Sequence, residues 1–230
     1  MLLSARTHLP VALVHRKGAR AGRLSTIDGD VKSSESLPLH GHHGLRSKDY
    51  RAGRERYLIR RDGSLVRPRD VRIARRRPRP PRVPDGARWI HVDLNTQTLV
   101  AYQGDRAVFA TLISSGKAGH ETPTGLYRIH AKHVSTTMSD LESESERYHI
   151  EDVPWTMYFH NSYAIHSAFW HDRFGHRRSH GCVNLAPGDA RWLFFWSLPE
   201  LPVAWHGVLA RDGSGTWVQI DAESLAEEAG

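Results

Sequence analysis

Apolar and polar residues alternate most plainly from Trp89 onward. Ile90, Val92 and Leu94 interleave with polar neighbours, Asn95-Thr96 can turn the chain, and Leu99-Val100-Ala101-Tyr102 returns. Gly104-Asp105 marks a second turn before Ala107–Ile113, and Leu126–His130 reads as a further strand. A period of two broken by tight turns predicts short strands in an antiparallel sheet. Trp155–Phe159 and Ser162–His166 flank His160-Asn161 and predict another hairpin. Gly207–Ala210 and Thr216–Ile220 predict a last one around Asp212-Gly213-Ser214-Gly215. One segment, Pro187–Ser197, has helical spacing. Pro187 suits a first helical position, Asp189 complements the helix dipole, and Ala190, Leu193, Phe194 and Ser197 share a face. Pro199 and Pro202 end it.

Before Trp89 the pattern is weaker. Pro10–His15 is a short β-like piece, and His40–Gly44 is a His/Gly cluster. Tyr57–Arg60 and Ser64–Arg67 flank Arg61-Asp62-Gly63, an Asp-Gly hairpin signal. Residues 1–74 are therefore expected to form a small β-rich module, incomplete at its start. Residues 75–88 form an Arg/Pro-rich linker, 89–220 the main domain and 221–230 an acidic, frayed tail. Residues 139–152 hold six acids and few apolar residues, which predicts an exposed loop. The expected fold is mainly β: a sandwich or open barrel bearing one helix.

Charge changes the picture locally. The net +7 conceals fourteen Arg against four acids in residues 51–88, an excess of ten that leaves the rest of the chain at −3. No Lys accompanies those Arg, and Arg75–Arg82 is broken by prolines. That favours a stiff extended linker over a nucleic-acid recognition helix, so no nucleic-acid partner is expected. No stretch approaches the roughly 20 apolar residues of a membrane-spanning helix. The first residues lack a basic cluster and a small-residue cleavage site, so the chain is expected either to be cytosolic or to begin downstream of an export signal. Its one cysteine excludes an internal disulfide.

The chemistry concentrates between His160 and Asn184. His160, His166, His171, His176 and His180 fall there, followed by the only cysteine in Ser179-His180-Gly181-Cys182-Val183-Asn184. A lone cysteine is ordinarily a small buried hydrophobe. Here Gly181 permits a sharp bend that aims backbone N–H groups at one oxygen. The segment precedes a helix whose dipole favours a thiolate, and His166 ends a predicted strand and can act as base. Five His near one thiol also suit zinc, but their spacing fits no regular zinc motif, so no metal and no cofactor are expected.

Ile165-His166-Ser167 followed by Ser179–Asn184 resembles the catalytic motif of the L,D-transpeptidase (YkuD-type) family. Ser115-Gly116-Lys117 and Thr122-Pro123-Thr124-Gly125 resemble turns of the same family, and the resemblance covers roughly Trp89 to Ile220. It implies that Cys182 is acylated and that His166 takes its proton, with the Ser167 carbonyl orienting the imidazole. His180, Gly181 and Cys182 would build an oxyanion hole, and Asn184 would hold the loop. Tyr158 and Trp170 would line a substrate groove, while His160, His171 and His176 read as loop or surface histidines. The implied substrate is a peptidoglycan stem peptide and the implied location extracytoplasmic. The same acyl-enzyme could give its acyl group to water, as a carboxypeptidase, and a non-catalytic cell-wall-binding domain is the reading from a different class. Every implied catalytic residue lies beyond the linker, so residues 1–74 are expected to be dispensable for the chemistry.

Overall fold

The computed structural model describes residues 8–25, 30–139, 149–211 and 213–222. The first strand, Val11–Val14 (β1), is buried at every position. Six more strands follow: Arg20–Leu24 (β2), Val31–Ser36 (β3), His42–Ala52 (β4), Glu55–Arg60 (β5), Leu65–Val66 (β6) and Val71–Ala74 (β7). They form one sheet in the order β3-β2-β6-β5-β4-β1-β7. The Asp-Gly hairpin forms as its turn residues require, with Gly63 at φ 86° and Leu58 opposite Val66.

Successive side chains of a strand point to opposite faces, and β1 is apolar on both. Ala12 and Val14 join Ala21, Leu45, Leu58, Val66 and Val71 in the core of the small module. Val11 and Leu13 face the other way, into a second cluster with Val83, Trp89, Val100, Tyr102, Leu112 and Phe174. The Arg/Pro stretch between the two parts is packed against this boundary. Val83 is fully buried, the Arg77 N–H donates to the Tyr102 hydroxyl at 3.0 Å, and the Arg77 guanidinium meets Asp93 at 3.3 Å and Asp221 at 3.6 Å.

The larger part holds Arg88–Asp93 (β8), Thr98–Gln103 (β9), Arg106–Leu112 (β10), Gly125–Arg128 (β11), Ala131–Ser139 (β12), His149–His160 (β13), Tyr163–Ser167 (β14) and Val183–Leu185 (β15). Helix α1 (Pro187–Trp196), Gly207–Leu209 (β16) and Trp217–Asp221 (β17) complete it. Two five-stranded sheets, β10-β9-β8-β17-β11 and β15-β14-β13-β12-β16, enclose a core that includes Ile90, Leu99, Met157, Ile165, Val183, Phe194 and Ile220. This is the mainly β, two-sheet fold with one helix that the alternation predicts. Ala190, Leu193 and Phe194 bury the predicted face of α1. Its C-terminal carbonyls are met from β12: the fully buried Lys132 donates through Nζ to Ser197 and Pro199, each at 2.8 Å, and to Phe194.

Three expectations change. Gly207–Leu209 and Trp217–Asp221 are not a hairpin: β16 pairs antiparallel with β12, whereas β17 enters the other sheet between β8 and β11. The sheets are not wholly antiparallel, because β8 with β17 and β14 with β15 run parallel. The acidic loop is shorter than 139–152, since Ser139 ends β12 and His149–Asp152 begin β13. The acids at 140, 142, 144 and 146, and the tail at 223–230, lie outside the described residues.

Candidate active site

The parallel pair β14–β15 sets the geometry. Its register places Ile165 beside Val183, His166 beside Asn184 and Ser167 beside Leu185. Ile165, Val183 and Leu185 enter the core. Alternation therefore sends His166, Cys182 and Asn184 to the opposite face. There they line a cleft of about 210 Å³ together with Met138, Ile150, Trp170, His171, Arg178, Ser179 and His180.

A second segment holds the loop that carries the cysteine. Ser114 and Asn184 exchange backbone hydrogen bonds at 3.0 and 2.9 Å, and the Lys117 N–H donates to the Ser179 carbonyl at 2.9 Å. The Ser115 carbonyl accepts from the N–H groups of Arg178 and Ser179 at 2.8 and 3.0 Å. Gln97 grips Ser115 in turn, accepting from its N–H at 2.9 Å and donating to its hydroxyl at 2.7 Å. The Thr122 hydroxyl accepts from the Gly116 N–H at 3.0 Å and donates to the Gly181 carbonyl at 2.7 Å. The Ser-Gly-Lys and Thr-Pro-Thr-Gly segments thus bind the Ser179–Cys182 turn. Only glycine fits at Gly116, where a Cβ would lie 2.0 Å from the His120 carbonyl oxygen.

His166 is 4% exposed, and its Nδ1 lies 2.9 Å from the Ser167 carbonyl oxygen. A carbonyl can only accept, so Nδ1 carries the proton and Nε2 is left as the basic nitrogen. Burial pushes this imidazole down to about 4, against the pull of the Ser167 carbonyl, and His171 lowers it further. The Cys182 thiol is 8% exposed and donates to the Ser162 carbonyl across 4.0 Å. Burial pushes it up to about 11, with a backbone hydrogen bond from Ala164 acting the other way. Near neutral pH both groups are uncharged. This departs from the expected thiolate, and the cause is burial, which disfavours the charged forms of thiol and imidazole alike.

The expected site residues are not all brought together. His166, Trp170, His180, Cys182 and Asn184 line the cleft, and Ser167 contributes its carbonyl from behind. The Gly181 N–H donates to the Ser179 hydroxyl at 3.1 Å, so in this state it is engaged locally and not directed at a ligand. Tyr158 packs with Met138, Val153, Ala164 and Cys182 and does not line the cleft. His160 stands apart, stacked on Tyr163, and His176 bonds His15 at 3.2 Å. His171, read from the sequence as a surface histidine, lines the cleft and meets the Asn184 amide at 3.2 Å through its Nε2. Arg178, Met138 and Ile150 were also missed.

The His171 contacts fix how Asn184 is used. The Arg173 N–H donates to His171 Nδ1 at 3.3 Å, and burial, with Arg178 nearby, keeps this imidazole neutral by lowering its pKa. Its Nε2 must then carry the proton and needs an acceptor. The amide meets that demand only with its oxygen turned toward His171, an orientation that a half-turn about its last bond provides. The other amide position is buried without a protein partner. In the satisfied orientation that position is a buried NH₂ donor.

The L,D-transpeptidase catalytic domain (YkuD) family model matches residues 87–220. The chain belongs to the L,D-transpeptidase catalytic domain family. L,D-transpeptidase 2 of Mycobacterium tuberculosis (strain CDC 1551 / Oshkosh) is 28% identical over 109 residues, which are 44% of this chain and 27% of that protein. YciB of Bacillus subtilis (strain 168), a candidate L,D-transpeptidase by name, is 25% identical over 125 residues, 49% of this chain and 61% of that one. The matches thus span less than two thirds of either relative. Among solved structures, the Ldtfm–avibactam carbamoyl enzyme superposes with a TM-score of 0.50 at 19% identity, covering 92% of this chain and 76% of that one. That likeness is one of fold.

Proposed function

We propose that this L,D-transpeptidase family chain is a cysteine-dependent acyl transferase acting on peptidoglycan stem peptides, with Cys182 as nucleophile and His166 as base. The observation that carries the reading is the shared cleft: an imidazole with a basic Nε2 on β14 and a thiol on the residue just before the parallel β15. In the first step Cys182 Sγ attacks the carbonyl of an L,D-centred amide while His166 Nε2 takes the thiol proton. The imidazolium then gives that proton to the nitrogen of the departing D-amino acid, leaving a thioester. In the second step an amine of a neighbouring stem attacks the thioester. His166 removes its proton and returns it to the departing thiolate. The backbone N–H groups of His180, Gly181 and Cys182 are proposed to receive the substrate carbonyl oxygen, with Asn184 holding the loop through His171. The scheme needs only thiol and imidazole, and so no cofactor. Its substrate polymer is extracytoplasmic, and that is where the enzyme is proposed to act.

The test is intact-mass measurement after incubation with a carbapenem-type β-lactam and, separately, with tetrapeptide stems. Native protein should gain one covalent adduct with the first and yield crosslinked stems from the second. Cys182→Ala should give neither. An adduct that survives Cys182→Ala would end the nucleophile assignment. Free tetrapeptide cut to tripeptide with no crosslinks would make the enzyme a carboxypeptidase.

A further inference from the structure

Five cations converge on a cleft of about 350 Å³ in the N-terminal sheet: Arg16, Lys17, Arg20, Arg67 and Arg69. A second cleft of about 560 Å³, between this module and the loop after β14, is lined by Arg16, Lys17, Arg173, Arg177 and Arg178. Arg16 and Lys17 belong to both, presented by the turn between β1 and β2, where they are 53% and 77% exposed along their side chains. Arg178 belongs to both the second cleft and the one that holds Cys182. The three clefts are therefore segments of one track.

Its charge is one-sided. Eight cations line the first two segments against two carboxylates among the described residues, Asp70 and Asp172. Asp70 lies 3.8 Å from Arg16, Asp172 lies 2.9 Å from Lys17, and outside the lining Glu55 meets Arg67 at 3.3 Å. The histidines beside the track register its potential. His15 is pushed down to about 4 by burial first and then by Arg72, His176 and Arg16, and His176 is lowered by burial, Arg72, Arg173 and Arg178. Arginine pairs with carboxylates through two parallel N–H donors, and a row of such forks recognises an anionic polymer better than a single anion.

We infer that this track binds the carboxylate-bearing stems of a peptidoglycan strand, holding neighbouring stems along the module while one stem occupies the Cys182 cleft. The inference rests on the acyl-transfer reading for the identity of the polymer. Each uncrosslinked stem ends in a free carboxylate, so one strand offers negative charges at intervals. A phosphate polymer offers similar charge, but the track leads to the thiol, which favours the polymer that the thiol processes. Several weak contacts along one strand raise the local concentration of stems at the cleft.

The test compares the native chain with Arg16→Gln/Lys17→Gln/Arg69→Gln, three exposed residues that do not line the Cys182 cleft. Binding to insoluble peptidoglycan is read by co-sedimentation at low and high salt. The triple variant should bind about tenfold more weakly, as expected for losing part of a multivalent contact. Native binding should fall with salt, as exposed charge pairs do. A variant with Arg16→Lys and Arg69→Lys keeps the charge without the fork and should bind between the native chain and the triple variant, and peptidoglycan with amidated carboxylates should bind the native chain as weakly as it binds the triple variant. Acylation by a carbapenem should change less than about twofold. Undiminished sedimentation of the triple variant, or equal binding of amidated material, overturns the inference. So does equal slowing toward the small β-lactam, and so does displacement by duplex DNA in preference to soluble stem fragments, which would assign the track to phosphate polymers. Failure of native protein to be acylated would instead sink the acyl-transfer reading, and sedimentation does not depend on it.

Discussion

The order of the two site pKa values decides how Cys182 is used. A thiol at about 11 above an imidazole at about 4 means that the uncharged pair is the resting form across the whole neutral range. An ion pair would require the reverse order. Proton transfer must therefore accompany attack, with His166 as general base at the moment the C–S bond forms. The sign for activity follows. Below about 4 the imidazole is protonated and cannot accept, so acylation should rise as pH increases through that value. It should then stay flat through neutrality and climb again only near the thiol value, where direct thiolate attack adds. Because the two groups share a cleft, both inflections belong to the pair. Stopped-flow acylation from pH 4 to 10 checks this, and a single rise centred near 7 would contradict it. His166→Ala should cost about 10²–10⁴-fold at neutral pH and less at high pH. The His–Cys–Asn motif was legible in the sequence because its members are close along the chain and on paired strands. His171 and Arg178 were not, because their place depends on how the loop after β14 folds back onto Asn184 and Ser115.

At the level of elements, the turn from Ser179 to Cys182 is built around one glycine. Gly181 sits at φ 113°, and a Cβ there would come within 2.5 Å of the Tyr163 ring. Gly181→Ala must either push Tyr163 away or twist the turn that aims Cys182. A non-glycine residue in this backbone region costs on the order of 1 kcal/mol or more. The variant should fold with Tm lowered by roughly 2–4 °C per kcal/mol, while acylation falls at least about tenfold. Unchanged acylation with lowered Tm would show that the turn is not needed for aim. Among the strands that the sequence revealed, β8 to β10, β13 with β14, and β5 with β6 are joined by tight turns, while β1 and β11 stood out as short apolar runs. Those it concealed have other causes. β3 is exposed after its first residue and β4 is buried only at Leu45, so they lack an alternating apolar face, and they are held by backbone pairing with β2 and β5. β15 has three residues and gains its identity from β14 on one side and Ser114 on the other. The false hairpin at the end arose because turn residues report a reversal of direction but not which sheet the next strand joins.

At the scale of the molecule, the core shared by Val11 and Leu13 with Trp89, Tyr102, Leu112 and Phe174 changes what truncation should do. A chain starting near Pro84 keeps every proposed catalytic residue but uncovers Trp89 and Tyr102, which are at most 1% exposed. Such a chain should be poorly soluble and bind hydrophobic dyes, and not be the independent enzyme that the motif positions suggest. The milder Leu13→Ala should cost about 2–5 kcal/mol. Calorimetry on both decides, and a Pro84 chain with native Tm and full acylation would refute the shared core. One more consequence lies in the placement of β17. Trp217–Asp221 occupies an interior position, hydrogen-bonded to β8 on one side and β11 on the other. While the chain is being synthesised, the first sheet lacks this strand until residue 221 has emerged, and β8 and β11 have nothing to hold them together. Until Trp217–Asp221 has joined it, that sheet stays open between β8 and β11, and this half of the sandwich cannot close strand by strand in the order of synthesis.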